Sequence, residues 1–217
     1  MQKAIIGKKL GMSQIFTADG TIIPVSVILA GPCTVVQVKT AEKDGYSAVK
    51  VGFEEVAPEK LNKPNAGQFK KSNLTANKVL REFKLDNSAD YSVGDKIGCS
   101  LFSVGDHVDV TGNTRGRGFT GTIQRWGTHR GPMAHGSGYH RGVGSLSANS
   151  SPSRVFKNKK MPGQYGNEKV TIQNLEVVRV DEARNVLLIS GGIPGAKGSI
   201  VSVKSSCKSS SGSRWIK

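Results

Sequence analysis

Apolar and polar positions alternate over several short stretches of the chain, with the two-residue period of half-buried β-strands. In the first 56 residues these stretches are 5–6, 14–17, 21–29, 34–39 and 46–53. The dipeptides Asp19-Gly20 and Asp44-Gly45 lie between neighbouring stretches and are typical of tight turns. The pattern predicts a meander of about five strands, as in a small barrel or sandwich.

The same period returns in the second half of the chain. It covers 96–102, 107–111, 170–180, 186–190 and 199–204. Residues 57–93 differ, because lysines lie there among Asn, Pro and Gly with few large apolar side chains. Short helical pieces at 58–61 and 66–71 and a strand over 79–85 are predicted there. We interpret this part as an insertion on the surface of the β domain.

Residues 110–167 follow neither the strand period nor the helix period. They contain no Asp or Glu, but nine Lys or Arg, twelve Gly and three of the four His. The segment also has few apolar side chains, and their burial cannot offset the conformational entropy that is lost when the segment becomes ordered. A basic, flexible stretch of this kind is suited to lie on a polyanion, and RNA is the obvious one.

Together these patterns predict a mainly β protein with one closed antiparallel barrel, from which a long loop leaves and to which it returns. The barrel domain comprises 1–56, 94–111 and 168–204. The surface insertion is 57–93, the basic Gly-rich extension is 112–167, and a flexible basic tail covers 205–217.

Charge supports a polyanionic partner. The formal net charge is +15, and nine of those charges lie in the acid-free segment. A solvated basic surface is the alternative, but such surfaces usually intersperse both signs. An anionic membrane requires a basic amphipathic helix, which a Gly-rich stretch does not form. The longest apolar stretch, 22–30, is too short to cross a bilayer, and the N-terminus lacks the apolar run of a signal peptide. A cytoplasmic protein is expected.

The cysteines indicate neither a metal site nor a disulfide framework. Cys33, Cys99 and Cys207 are far apart and odd in number, and no CxxC pair occurs. Ordinary thiols in a reducing compartment are the default interpretation.

Residues 116–121 match the pattern GxGxxG, which is weak evidence alone. Dinucleotide binding requires a following amphipathic helix and an acid about twenty residues on, whereas the next acid is Glu168. A different use of the same chemistry is favoured. Glycine lets the backbone approach phosphates, and Arg115, Arg117 and Arg125 supply charged forks beside it.

The aromatic residues and histidines of the segment allow several interpretations. Phe119 is interpreted as a packing residue that anchors the extension to the barrel, and Trp126 as a base-stacking or groove-wedging residue. His129, His135 and His140 could form a metal site, but spacings of six and five fall on no common helix face and no Cys or acid joins them. A catalytic histidine needs an orienting group, and none is near in sequence. Contact with RNA is favoured.

The densest basic cluster comprises Arg154, Lys157, Lys159 and Lys160, with Asn158 predicted to form a turn. Its alternatives are a solvated loop and a site that neutralises phosphates. In the second case each contact adds to the salt dependence of binding.

Several motifs in the same order resemble one known family. They are Phe102, Asp109, Gly112, Thr114, Gly116, Arg117, Gly118, Gly121 and Arg125 at signature spacing, the N-terminal stretch 7–16, and then Val155-Phe156-Lys157, Lys160-Met161 and Gly163-Gln164. The chain resembles, essentially end to end, the universal third protein of the large ribosomal subunit (ribosomal protein L-three) in its bacterial form.

The resemblance implies a six-stranded barrel of the translation-protein type with an insertion and a long central extension. It also implies binding to 23S rRNA early in subunit assembly, with neighbouring large-subunit ribosomal proteins as further partners. The tip of the extension, about 142–153, is implied to approach the peptidyl-transferase centre. Some bacterial members carry a methylated glutamine where this chain has Ser150, so that modification is not expected here.

The sequence therefore predicts a structural constituent of the ribosome, not an enzyme, with no cofactor, metal, membrane or small-molecule substrate. The candidate rRNA-binding residues are Lys8, Lys9, Arg115, Arg117, Arg125, Trp126, His129, Arg130, His135, His140, Arg141, Arg154, Lys157, Lys159 and Lys160. Two rival hypotheses are an RNA-modifying enzyme that uses the histidines and a module that binds RNA or an acidic protein only transiently.

Overall fold

The computed structural model describes residues 3–208. Within this range the strands are β1 (Ala4–Phe16), β2 (Ile22–Ala30), β3 (Cys33–Lys39), β4 (Ala48–Glu55), β5 (Asn77–Phe83), β6 (Lys96–Ile97), β7 (His107–Asn113), β8 (Gly118–Thr120), β9 (Gly163–Tyr165), β10 (Lys169–Asp181), β11 (Val186–Ser190) and β12 (Ile200–Ser205). The helices are α1 (Ala41–Asp44), α2 (Lys63–Lys71) and α3 (Thr122–Trp126), with 3-10 turns at Pro58–Lys60, Ser88–Asp90 and Cys99–Leu101. No helix in the described range has the length and hydrophobicity needed to span a bilayer.

Six strands close into an antiparallel barrel in the order β1-β12-β7-β10-β11-β2. The predicted mainly β fold with a closed six-stranded barrel is thereby confirmed. Closure pairs every strand on both sides, so the barrel leaves no open edge. Val108, Val110, Leu187, Val201 and Val203 are fully buried, as the alternating pattern of their strands predicts.

The hairpin of β1 and β2 forms at the predicted Asp19-Gly20 turn. Gly20 adopts φ +78°, a conformation that favours glycine. Its N–H donates to the Thr17 carbonyl at 3.0 Å, and the Thr17 N–H donates to the Thr21 carbonyl at 2.9 Å. The turn fixes a register in which Phe16 lies opposite Ile22.

A second, four-stranded sheet has the order β5-β4-β3-β6. It contains β3 and β4, which the sequence pattern places in the barrel meander. Between β2 and β3 the chain turns at Gly31, whose φ is +86° and where a Cβ would lie 2.8 Å from the Ile97 carbonyl oxygen. This close turn carries the chain out of the barrel. Alternation predicts strands but does not specify their partners, so the meander divides between two sheets.

The two sheets share one hydrophobic core. Val35, Val49 and Phe83 of the second sheet belong to the same buried cluster as Ile5 and Val110 of the barrel. The predicted helical pieces of the insertion are found as Pro58–Lys60 and α2, and the predicted strand as β5. The predicted strand over 96–102 is reduced to β6, because the chain coils into a 3-10 turn at Cys99–Leu101.

The buried carboxylate of Asp109 holds an irregular part of β10 in place. The pairing of β10 with β7 shifts between Ile172 and Leu175, and Asn174 in this bulge has φ +59°. Asp109 Oδ1 accepts a hydrogen bond from the Asn174 N–H at 2.9 Å, and its Oδ2 accepts one from the Cys207 N–H at 3.3 Å. The carboxylate thus gives a hydrogen-bond partner to one amide in the bulge and to one beyond the end of β12.

The described residues form two compact units, 3–114 with 169–208 and 115–168. We call the first the barrel unit and the second the basic unit. The barrel unit contains both sheets described above, and the basic unit contains β8, β9 and α3. Of the predicted flexible tail, 205–208 are described, whereas 209–217 lie outside the described residues.

Candidate nucleic-acid interface

The two ends of the basic unit are joined by a short ladder. Strand β8 pairs with β9, so that Phe119 lies opposite Gln164. The Arg117 N–H extends the ladder by donating to the Tyr165 carbonyl at 2.9 Å. Gly166, with φ +72°, lies against the backbone of Arg115, where a Cβ would clash. Arg115 and Arg117 are exposed beside this ladder, so their backbone is fixed while their side chains face solvent.

Helix α3 follows the ladder and is held by the carbonyl of Met161. Arg125 Nη1 donates to this oxygen at 3.0 Å and Trp126 Nε1 donates to it at 2.9 Å. The Arg125 guanidinium also lies 4.9 Å from the Trp126 ring centroid, as in a cation–π pair. A Cβ on Gly163 would overlap the guanidinium. We call this arrangement of Arg125, Trp126, Met161 and Gly163 the neck clamp, because it closes the loop 127–160.

Within that loop, Tyr139 organises the chain around it. A Cβ on Gly131 or Gly142 would overlap Tyr139, and one on Gly144 would lie 3.2 Å from its hydroxyl. The Gly131 N–H donates to the His140 carbonyl at 2.9 Å. These contacts bring Arg130, next to Gly131, close to the backbone of His140. The glycines thus serve close packing on one ring.

The second basic cluster lies on the returning half of the loop. Lys159 Nζ donates to Ser147 Oγ at 3.3 Å, and the Arg154 guanidinium lies 5.5 Å from the Phe156 ring centroid. Asn158 adopts φ +64° in a turn, which confirms the predicted turn. Lys157 and its neighbours remain largely in solvent, available to a partner.

The three candidate histidines of the basic unit are exposed. His135 has φ +61° in a turn. No group of three or more His, Cys, Asp or Glu side chains with the geometry to hold a metal ion occurs in residues 3–208.

The structure corrects the interpretation of Phe119. The side chain is 79% exposed, whereas an anchoring residue should be buried. Its strand, β8, has only three residues. Phe119 faces solvent because alternation in β8 turns the neighbouring Thr120 inward.

The GxGxxG stretch has no dinucleotide-binding geometry. Gly121 precedes α3, which has five residues and ends at Gly127 with φ +66°. A Rossmann site needs a strand, a glycine turn and a long crossover helix. Gly118 instead begins β8, and Gly121 is the N-cap residue of α3.

Lys8 and Lys9 lie in the barrel unit and already have partners there. Lys8 Nζ forms an ion pair with Glu54 at 2.6 Å. Lys9 Nζ donates to the carbonyls of Ile193 and Gly195 at 2.8 and 2.9 Å, and its burial lowers the pKa of its ammonium group. The structure gives both lysines roles in packing β1 against other parts of the chain, and does not group them with the other candidates.

Residues 84–186 match the family model of ribosomal protein L3. This part of the chain, just under half of its length, belongs to the ribosomal protein L3 family. The matched range begins after β5 and extends across β7, the whole basic unit and β10 to the first residue of β11.

Membership of the ribosomal protein L3 family has direct functional consequences. Proteins of this family are structural constituents of the ribosome rather than classical enzymes. Membership also connects the chain with the large subunit, translation and rRNA binding. Within the L3 match, Asp109 holds the β10 bulge and Arg125 closes the neck clamp, so these signature residues have structural roles.

Three further cationic residues were not predicted by the sequence analysis. Arg81, Lys169 and Lys204 line a common cavity in the barrel unit. They are isolated in the sequence and no motif contains them. Strand pairing places Lys169 and Lys204 on neighbouring parts of the barrel wall, and packing of the second sheet brings Arg81 to them.

Proposed function

We propose that the chain is a structural component of the large ribosomal subunit that binds 23S rRNA in the cytoplasm, helps to nucleate subunit assembly and directs its basic unit toward the peptidyl-transferase centre. Neighbouring large-subunit proteins are its further partners. The candidate rRNA-binding side chains of the basic unit carry the main contacts.

The observation that carries the proposal is the exposure of many cations in a segment without acids. Residues 110–167 contain nine Lys or Arg and no Asp or Glu. Most of these side chains are exposed, among them Arg115, Arg117, Arg130 and Lys160. Uncompensated positive charge of this density favours binding to phosphates through release of counterions.

The backbone of the basic unit suits binding by shape. The β8–β9 ladder, the neck clamp and the packing around Tyr139 fix parts of the chain, and the cationic side chains project from them. Contacts to phosphate and sugar position a protein on folded RNA without reading its sequence. Recognition of folded rRNA shape is therefore the expected mode, with stacking by exposed aromatic residues as a second contribution.

The assembly role and the approach to the peptidyl-transferase centre are supported by family membership and by the motif resemblance around the loop. The tip 142–153 is exposed along its length. It contains Ser and Gly but no large aromatic side chain. A small and flexible tip of this kind fits a crowded RNA environment.

Salt-dependent binding to 23S rRNA tests the proposal. Alanine at Arg115, Arg117, Lys159 and Lys160 together should weaken binding and reduce the slope of log K against log salt by about 3, since each lost phosphate contact contributes about 0.7 to 0.9. The matched control carries alanine at four exposed lysines of the barrel unit, Lys43, Lys60, Lys96 and Lys197. An equal loss in both variants would contradict a specific role for the basic unit.

Sedimentation of cell extracts separates the rival hypotheses. A structural component should remain with the large subunit through a high-salt wash. A transient binder should be released. An RNA-modifying enzyme should show turnover that is lost when His129, His135 or His140 is replaced, and detection of such turnover would contradict the structural role.

A further inference from the structure

A polar cavity of about 480 Å³ opens in the barrel unit between the two sheets. One wall is strand β5 of the second sheet, and the other is the outer face of the barrel strands β12, β7 and β10. Its volume lies in the range of ligand sites. Of the signature residues, only Gly112 is among the residues that line it.

Strand register places three hydroxyl groups in a row across the barrel wall. Thr111 of β7 is paired with Ser202 of β12 on one side and with Thr171 of β10 on the other. Directly paired residues of antiparallel strands point to the same face. The Thr111 and Thr171 hydroxyl oxygens are 2.8 Å apart. The row lies on the outer face, because the neighbouring Val110 and Val203 fill the interior.

Three cations surround this row. Arg81 reaches from β5 and donates from Nη1 to Ser202 Oγ at 2.7 Å, and its guanidinium carries further N–H donors that a ligand can use. Lys204 Nζ lies 5.5 Å from the Phe83 ring centroid, and Lys169 is exposed opposite Asn113. None of the three forms an ion pair with a carboxylate in the described part of the chain.

The acids near the cavity are engaged elsewhere. Glu82 follows Arg81 on β5 and is one of the residues that line the cavity, but its carboxylate bonds to Lys39 and Tyr46. Asp109 lies opposite Lys204 in register, but its two oxygens accept the backbone N–H groups of Asn174 and Cys207. The cavity therefore presents a positive charge to a ligand.

We propose that this cavity is a second RNA site, which binds the sugar-phosphate backbone independently of the basic unit. The Arg81 fork and the two lysine ammonium groups match phosphate oxygens. The hydroxyl row can both donate to phosphate and accept from a ribose 2′-OH. This combination favours RNA over an acidic protein segment, which has no 2′-OH. The inference rests on the proposed function, because it takes rRNA as the ligand.

The experiment measures binding of the full chain to 23S rRNA as a function of salt. Lys169→Gln with Lys204→Gln should weaken binding and reduce the salt slope by about 1.4 to 1.8, the contribution of two phosphate contacts. The matched control, Lys43→Gln with Lys96→Gln, removes the same charge from exposed positions outside the cavity. The single variant Lys169→Glu changes only an exposed side chain, and it should reduce the slope even if the double variant is poorly folded.

Two additional probes distinguish other ligands. Inorganic phosphate and polyglutamate are each tested for their effect on the melting temperature of the wild type and of the double variant. The inference is overturned if the salt slope of rRNA binding falls no further in the cavity variants than in the control. This holds even if phosphate or polyglutamate raises the melting temperature of the protein. If the wild type does not bind rRNA at all, the proposed function itself fails. If only the basic-unit variant weakens binding, the second site alone fails.

Discussion

Asp106 illustrates how one side chain fixes the entry of a barrel strand. Its Oδ2 accepts hydrogen bonds from Lys3 Nζ at 2.6 Å and from the Ser103 N–H at 2.9 Å. Burial by itself would raise the pKa of this carboxyl group, but the bonds from Lys3 and Ser103 outweigh burial and hold the pKa below its ordinary value. The ionised form therefore stabilises the turn that begins β7.

The substitution Asp106→Asn should lower the free energy of unfolding at pH 7 by about 1 kcal/mol, the usual size of such an interaction. A depressed pKa contributes stability that is present above the unfolded-state value, near 3.8, and lost as the pH falls through the folded-state value. Urea titrations of both proteins at pH 7 and pH 3 check this. A difference between the two proteins that stays the same at pH 3 would show that ionisation is not the cause.

For a single residue, the sequence gives the type of side chain but not the groups that surround it in the fold. Lys9 and Arg115 are both basic residues within two positions of a glycine, and charge alone predicts the same role for them. The fold brings two carbonyls to Lys9 Nζ, whereas Arg115 is exposed. Contacts between residues some 184 positions apart, as from Lys9 to Ile193, leave no local pattern in the sequence.

Among the elements, the neck clamp is the one that closes the long loop. The carbonyl of Met161 accepts from both Arg125 and Trp126, so one backbone oxygen joins α3 to the chain just before β9. Gly163 provides the space for the guanidinium. These hydrogen bonds hold the two ends of the loop 127–160 together, which reduces the number of conformations open to it.

The substitution Gly163→Ala should displace the Arg125 guanidinium from the Met161 carbonyl. Loss of about 1 kcal/mol of local stability is expected, which corresponds to roughly fivefold faster amide exchange in the β8–β9 ladder. Hydrogen exchange followed by mass spectrometry over 115–127 measures it. Gly138→Ala is the matched control, since a Cβ there meets nothing within 4 Å. Equal exchange in the two variants would mean that the clamp does not hold the ladder.

Element positions could largely be predicted from periodicity, but element partners could not. The predicted strand 186–190 is found as β11 (Val186–Ser190), and the predicted turns precede β2 and β4. The assignment of β3 to the second sheet depends on the turn at Gly31 and on packing against Ile97, neither of which alters the alternation. The loop within 127–160 has no period, so its order around Tyr139 could not be predicted.

For the whole molecule, the sequence predicts a basic extension over 112–167 that leaves the barrel and returns to it. Its lack of acids is visible in the sequence, and the structure places 115–168 in a compact unit of its own. The cavity with Arg81, Lys169 and Lys204 could not be predicted from the sequence. Register places the two lysines on neighbouring barrel strands, and Arg81 reaches them only because the second sheet packs against the barrel. A site whose residues are so dispersed in the sequence can be recognised only once the fold is known.

Excision of the basic unit should leave a folded barrel unit. Asn113 and Lys169 are direct partners in the β7–β10 ladder, so Thr114 followed by Asn-Gly can connect them as a three-residue hairpin loop. We expect cooperative unfolding with a stability loss under about 2 kcal/mol, or a Tm lowered by less than about 8 °C.

The same shortened protein separates the two proposed RNA sites. It should lose most of the salt-dependent affinity for 23S rRNA, while the remaining affinity still falls when Lys169 and Lys204 are replaced by Gln. Calorimetry and salt-dependent binding measure the two properties on one sample. A shortened chain that unfolds without a cooperative transition would mean that the basic unit is needed for the barrel to fold. If the shortened chain folds but its residual affinity for rRNA does not change when both lysines are replaced, only the basic unit binds rRNA.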